Sequence, residues 1–141
     1  MPKEAPKPTH EDAKVLLELL EATQTDNFQK ARNWWFGNLS VENPMPYEEF
    51  KQKFPEGSEG HNSFGLVSSF FETAGVLVKY GLLHEDLFFD RFLIDPYWKS
   101  AKTIVRGERS EYDPLIAENF EWLARRAPVW RRKHLAKKKR R

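Results

Sequence analysis

Residues 61–86 read HNSFGLVSSFFETAGVLVKYGLLHED, and this stretch decides the fold. Because successive residues of a helix are 100° apart, its bulky apolar side chains fall on one broad side over about 62–80. A separate narrow stripe of small and polar residues, called here the Glu72 stripe, contains Gly65, Ser68, Glu72, Gly75 and Lys79. The stretch therefore predicts one long helix, ended by Gly81, with a core face and a second, distinct face. The core-facing residues are Phe64, Val67, Phe70, Phe71, Ala74, Leu77 and Val78.

Glu72 stands at the centre of the stripe, and two structural interpretations fit it. The small neighbours allow another helix to approach closely, and a carboxylate buried there needs a donor because unpartnered burial is costly. Alternatively, the stripe faces water. A tight turn near 81–84 would return a helix over about 84–94 antiparallel to the first, which brings Arg91 to the height of Glu72. The sequence therefore predicts a Glu72–Arg91 ion pair, with a Trp indole as the alternative donor.

The rest of the chain also shows helical patterns, and no segment has the alternation of a strand bounded by turns. Thr9 and Asp12 predict a capping box at the first helix. Pro128 is predicted to end the last helix. Aspartates that precede helical patterns are predicted caps of later helices: Asp26, Asp95 and Asp113.

These patterns predict one compact all-α domain of six or seven helices. Its centre is the antiparallel hairpin of 62–80 and 84–94. The predicted organisation is a flexible N-terminus over 1–8, a helical domain over 9–130 and a disordered basic tail over 131–141.

Charge is distributed unevenly along the chain. The segment RRKHLAKKKRR, residues 131–141, holds eight of the 23 Lys and Arg residues and no acid, which leaves 15 basic against 21 acidic residues before it. An acidic body of net charge −6 therefore carries a cationic tail. The tail predicts binding to nucleic acid phosphates or to an anionic surface, and a solvated tail without a ligand is the alternative. The binding residues would be Arg131, Arg132, Lys133, Lys137, Lys138, Lys139, Arg140 and Arg141.

The sequence lacks the residues that several kinds of functional site require. The chain has no cysteine, which removes disulfides and thiolate sites and fits a reducing compartment. Its four histidines do not have the one-turn spacing of a helix-borne metal site, so we expect no metal and no cofactor.

The longest apolar stretch, 64–83, is interrupted by Glu72 and Lys79, and each charge costs roughly 2.5–3.5 kcal/mol for membrane insertion. The N-terminus lacks the apolar region of a secretory signal. A cytoplasmic protein without a transmembrane span is expected.

Part of the pattern resembles a known family. The segments FFETAGVLVKYGLLHEDLFFDRF, residues 70–92, and FEWLARRA, residues 120–127, together with Trp98 and Arg106, resemble an uncharacterised bacterial helical family, domain of unknown function 4760. The resemblance covers about residues 28–127. It implies a helical fold, and it implies no activity and no catalytic residues because none is established for the family. Members often carry a membrane-anchored N-terminus, which is not seen here. The positions it singles out are Glu72, Gly81, Trp98 and Arg106.

The functional hypothesis is a non-enzymatic cytoplasmic interaction or regulatory protein with a basic C-terminal arm, an unidentified protein partner and a homodimer as an open alternative. Nonspecific binding of nucleic acid or an anionic surface through the tail is the second hypothesis. An enzyme with a Glu72-centred pocket is the third, although no second carboxylate of matched role is evident. The residues singled out in the body are Glu72, Arg91, Trp98 and Arg106.

Overall fold

The computed structural model describes residues 6–140. Over that range it contains seven α-helices and no strand, which confirms the predicted all-α fold. The helices are α1 (His10–Thr23), α2 (Asp26–Asn38), α3 (Tyr47–Lys53), α4 (Glu59–Lys79), α5 (Glu85–Arg91), α6 (Asp95–Glu111) and α7 (Glu118–Lys139).

Short polar side chains cap three of the seven helices described over residues 6–140, namely α1, α2 and α4. The Thr9–Asp12 capping box is present at α1. Thr25, one residue before the predicted Asp26, caps α2 by accepting the Phe28 N–H. Ser58 caps α4 by accepting the His61 N–H, so that helix begins at Glu59, earlier than the predicted 62.

Helix α4 lies at the centre of the core and packs most extensively on α7 and α2. Its predicted core face is buried, except that Leu77 is only half-buried. Trp35 of α2 is fully buried and stacks on Phe64 of α4 with 5.0 Å between ring centroids. Its indole N–H donates to Ser100 Oγ of α6 at 2.8 Å. One aromatic core thus joins α2, α4 and α6.

The turn after α4 is tight, as predicted, because Gly81 adopts a left-handed φ of 74° that favours glycine. The helix that follows is shorter than the predicted 84–94 and ends at Arg91. It lies against α7 and α1, so the helix that packs most extensively on α4 is α7 and not the helix next in sequence. The partner of α4 comes instead from the C-terminal end of the chain.

Helix α7 differs from the prediction at both ends. Asp113 and Pro114 stand in a turn, and the helix begins at Glu118. Pro128 lies inside the helix, although an internal proline costs about 3 kcal/mol. Burial of Leu123 before it and Trp130 after it offsets that cost.

Residues 131–139, which the charge pattern predicts to be disordered, continue α7 as a helix. Elongating an existing helix costs far less than starting one. Lys, Arg, Leu and Ala are strong helix formers, and cations favour the negative end of the helix dipole. These local preferences correct the interpretation based on charge alone.

Candidate functional site

The first turn of α7 has no cap of its own. Its N-cap residue, Ala117, has a left-handed φ of 57° and offers no side-chain acceptor. Glu72 of α4 supplies the acceptor. Its Oε1 accepts the backbone N–H groups of Asn119 and Phe120, both at 2.9 Å, and its Oε2 accepts the Asn119 side-chain amide at 2.7 Å. A carboxylate at a helix N-terminus satisfies orphan donors and complements the dipole, so Glu72 is a cap contributed by another helix.

The neighbours of Glu72 make this contact possible. Gly75 lies against α7 so closely that an added Cβ would be 2.3 Å from the Asn119 carbonyl oxygen. Lys79 Nζ lies 3.4 Å from Asn119 Oδ1. The start of α7 therefore packs against the Glu72 stripe, which agrees with the interpretation of a closely approaching helix. A Cβ added at Gly65, at the other end of the stripe, would have no neighbour from outside the local backbone within 4 Å.

The predicted donors to Glu72 are wrong. Arg91 is exposed, and its guanidinium lies 5.5 Å from the centroid of the neighbouring Phe92 ring. Helix α5 ends at Arg91 and packs on α7 and α1, and the Glu72 carboxylate bonds to α7 instead of Arg91. The alternative, a Trp indole, is wrong too, since backbone N–H groups take that place.

The other residues singled out by sequence do not form one site. Trp98 is half-buried and packs edge-on against Phe120 at 5.1 Å. Arg106 is exposed on α6. Trp98 thus supports the first turn of α7 through packing, whereas Arg106 does not share an observed contact with Glu72 or Trp98.

The middle of α7 is fixed to α5 by polar contacts. Arg126 donates to both carboxylate oxygens of Glu85, at 2.6 and 2.8 Å, which is the bidentate geometry of a strong arginine–carboxylate pair. The buried Trp130 donates its indole N–H to Asp86 at 2.8 Å. His134 stacks on Trp130 with 4.7 Å between ring centroids. These contacts hold α7 against α5 as far as Trp130.

Beyond that anchor lies a segment called here the cationic arm, residues 131–140. It spans about 15 Å at the rise of an α-helix. All seven of its Lys and Arg side chains are exposed: Arg131, Arg132, Lys133, Lys137, Lys138, Lys139 and Arg140. At 100° per residue they point to all sides of the helix axis. Arg141, the eighth predicted cation, lies outside the described residues.

A second cluster of ionisable groups lies between α3 and α6 and was not singled out by sequence. Tyr47 donates its hydroxyl to Glu111, and Lys51 Nζ lies 3.2 Å from the same carboxylate. These two partners hold the pKa of Glu111 below its ordinary value. Burial raises the pKa of the neighbouring Glu108 to about 7. These residues line a cavity of about 390 Å³. Its charge consequently changes near neutral pH.

Sequence reasoning had little signal for this cluster. Glu108 and Glu111 lie one turn apart on α6, but Tyr47 and Lys51 come from a helix some 60 residues earlier. Across residues 6–140, no group of His, Asp and Glu side chains is arranged to hold a metal ion. None of the helices between residues 6 and 140 combines the length and the apolar composition that a membrane span requires.

Similarity to known proteins gives a family for this architecture. The model of DUF4760, a domain of unknown function, matches residues 8–127. The chain belongs to the DUF4760 family. The match extends the predicted resemblance at its N-terminal end to include α1, and it ends before the cationic arm. No curated protein and no solved structure matches the chain significantly.

Proposed function

We propose that this DUF4760 protein is a non-enzymatic binding protein that associates with nucleic acid through its cationic arm. The observation that carries the proposal is the exposure of seven Lys and Arg side chains on one helical segment without an acidic residue among them. Such a segment matches the charge of a phosphate backbone. Neutralising phosphates releases condensed counterions, which drives binding without reading the sequence.

The distribution of charge favours nucleic acid over a membrane surface. A helix that lies on a bilayer places its cations on one side and apolar residues on the other. The arm has cations around its whole axis, and Leu135 is its one large apolar residue. A nucleic-acid groove can contact several sides of such a helix at once, whereas a planar membrane cannot.

The charge of the body directs anionic ligands towards the arm. With a net charge of −6 over residues 1–130, the body repels phosphates and leaves the arm as the attractive end of the molecule. Glu72 does not support the enzyme hypothesis, because its carboxylate already accepts three hydrogen bonds from α7.

The test is fluorescence anisotropy with mixed-sequence RNA and with duplex DNA across a salt series. The variant changes Lys137, Lys138 and Lys139 to Gln, which keeps good helix formers and removes three charges. Its matched control changes Lys14, Lys30 and Lys99, which are exposed lysines of the body, to Gln. The unsubstituted chain should bind with an affinity that falls steeply with salt. For duplex DNA, each phosphate that the variant no longer neutralises should reduce the slope of log K against log salt by about 0.9.

An equal loss of affinity for nucleic acid in the variant and its control would contradict the proposal, because the effect would then follow net charge alone. No binding of either nucleic acid at low salt would also contradict it. In that case, binding to vesicles that contain anionic lipid would assign the arm to a membrane surface instead.

The proposed function carries two further expectations. A cytoplasmic location is supported by the absence of cysteine, which fits a reducing compartment, and by the proposed nucleic-acid ligand. A homodimer or a complex with another protein stays a prediction, which light scattering of the purified chain would check.

A further inference from the structure

A second cleft, separate from the arm, lies where α2 meets the segment that connects α5 to α6. Its volume is about 350 Å³, within the size range of small-molecule pockets. Its floor contains the buried rings of Phe28, Phe70 and Phe71. Phe36, Phe92 and Tyr97 add further aromatic surface, and Arg32 and Arg91 supply the charge. No acidic side chain lines it among the described residues, so the cleft carries two positive charges.

Over residues 6–140 the two arginines have no carboxylate partner, in contrast to three other arginines of the acidic body. Arg109, Arg125 and Arg126 each pair with a glutamate at 2.6–2.7 Å. Neither Arg32 nor Arg91 makes an ion pair or a side-chain hydrogen bond with another residue between 6 and 140. The guanidinium of Arg91 lies over the Phe92 ring at 5.5 Å, so its donors stay available to a ligand.

Tyr97 adds a neutral polar group to the same cleft. Burial raises the pKa of its hydroxyl, and the nearby charge of Arg32 opposes that increase only in part. The phenol therefore remains protonated at neutral pH and can donate a hydrogen bond. Its ring packs edge-on against Phe36 with 5.1 Å between centroids. The cleft thus combines cationic and neutral donors with flat apolar surface.

This combination selects one class of ligand. Guanidinium groups bind carboxylate or phosphate through paired N–H donors, and aromatic rings favour a flat ring stacked or placed edge-on against them. A cation would be repelled, and a wholly apolar ligand would remove water from two charges without replacing it. We propose that the cleft binds a small planar aromatic molecule that carries one carboxylate or one phosphate, held by Arg32 and Arg91.

The experiment uses the full chain and four probes. 4-Hydroxybenzoate and adenosine 5′-monophosphate carry the two anionic groups, and 4-hydroxybenzamide and adenosine are their uncharged counterparts. Because phosphate can also contact the cationic arm, binding is read from the aromatic NMR signals of Tyr97 and Phe36 in the cleft. At least one anionic probe should shift these signals in a saturable manner, and its uncharged counterpart should bind at least about tenfold more weakly.

The double variant Arg32→Gln/Arg91→Gln should weaken binding of that probe at least about tenfold, since both guanidinium groups are removed. The matched control Arg106→Gln/Arg125→Gln removes the same charge elsewhere and should leave the affinity unchanged. Binding of the benzoate alone identifies a carboxylate ligand, and binding of the monophosphate alone identifies a phosphate ligand. The inference is overturned if neither anion shifts the two signals, if charged and uncharged probes bind equally, or if the double variant binds like its control.

Discussion

Glu72 provides the sharpest test of how the fold is held together. Glu72→Ala would remove the acceptor of two backbone N–H groups and of the Asn119 amide, all at 2.7–2.9 Å. Loss of a side-chain cap costs about 0.5–2 kcal/mol, and a hydrogen bond to a charged group contributes about 1.5–3 kcal/mol. The three bonds share one carboxylate and are not additive, and Glu72 is only half-buried. We therefore expect a loss of about 2–4 kcal/mol in the free energy of unfolding.

The assay is urea and thermal unfolding, combined with amide hydrogen exchange. For a chain of this length, about 3–4 °C of melting temperature corresponds to each kcal/mol, so Glu72→Ala should lower it by about 6–16 °C. The amides of Asn119 and Phe120 should exchange faster because they lose their acceptor. Glu72→Gln should be milder, at about 1–2 kcal/mol, since it keeps one oxygen but places its amide nitrogen against the amide of Asn119.

The matched control is Glu118→Ala, which removes an exposed acid from the first turn of the same helix. It should cost less than about 1 kcal/mol because it affects only the interaction with the helix dipole. If Glu72→Ala were no more destabilising than this control, or if the two amides kept their protection, the capping role of Glu72 would be refuted.

Two further substitutions test neighbouring features. Gly75→Ala should destabilise by about 1–3 kcal/mol, because its Cβ would lie 2.3 Å from the Asn119 carbonyl oxygen. Gly65→Ala, on the same stripe but in open space, should instead be neutral or stabilising by up to about 1 kcal/mol in the same urea titration, and equal effects would contradict the close contact. Burial raises the pKa of Glu108 from 4.5 to about 7, so stability gained from its bound proton is lost as the pH rises through 7. Glu108→Gln should therefore unfold like the unsubstituted chain near pH 4 but be about 1–2 kcal/mol more stable at pH 8, allowing for partial screening by solvent. A gain that does not depend on pH would contradict this account, and the exposed Glu48→Gln is the control.

The features that the sequence predicts well are those set by neighbours along the chain. The Thr9–Asp12 capping box and the apolar face of 62–80 depend on residues within a few turns, and both are present. The α4–α7 contact could not be predicted in this way. The donors to Glu72 lie 47 and 48 residues further on, and two of the three are backbone N–H groups, which carry no residue signature.

The local sequence predicts the ends of α7 at the wrong residues for the same reason, namely contacts between residues far apart in the sequence. Asp113 and Pro114 form a strong local start signal, yet Glu72 fixes the start of the helix at Glu118 instead. Pro128 is a strong local stop signal, and burial on both sides of it overrides that signal. Local propensity fails at these positions because tertiary contacts made by distant residues contribute more free energy.

Because α7 is continuous, the cationic arm is a rigid extension of a packed helix and not a flexible tail. A flexible tether samples many directions, whereas residues 131–139 extend the helix that the Glu72 stripe seats. If α7 shifted by one residue in its contact with the Glu72 stripe, the arm would rotate by 100° about its axis. Because cations surround the axis, such a turn would leave its field nearly unchanged. A tilt of α7 would change that electrostatic field, because it would move the charges towards or away from the acidic body. The geometry of the arm is therefore tolerant of rotation and sensitive to the angle that α4 imposes on α7.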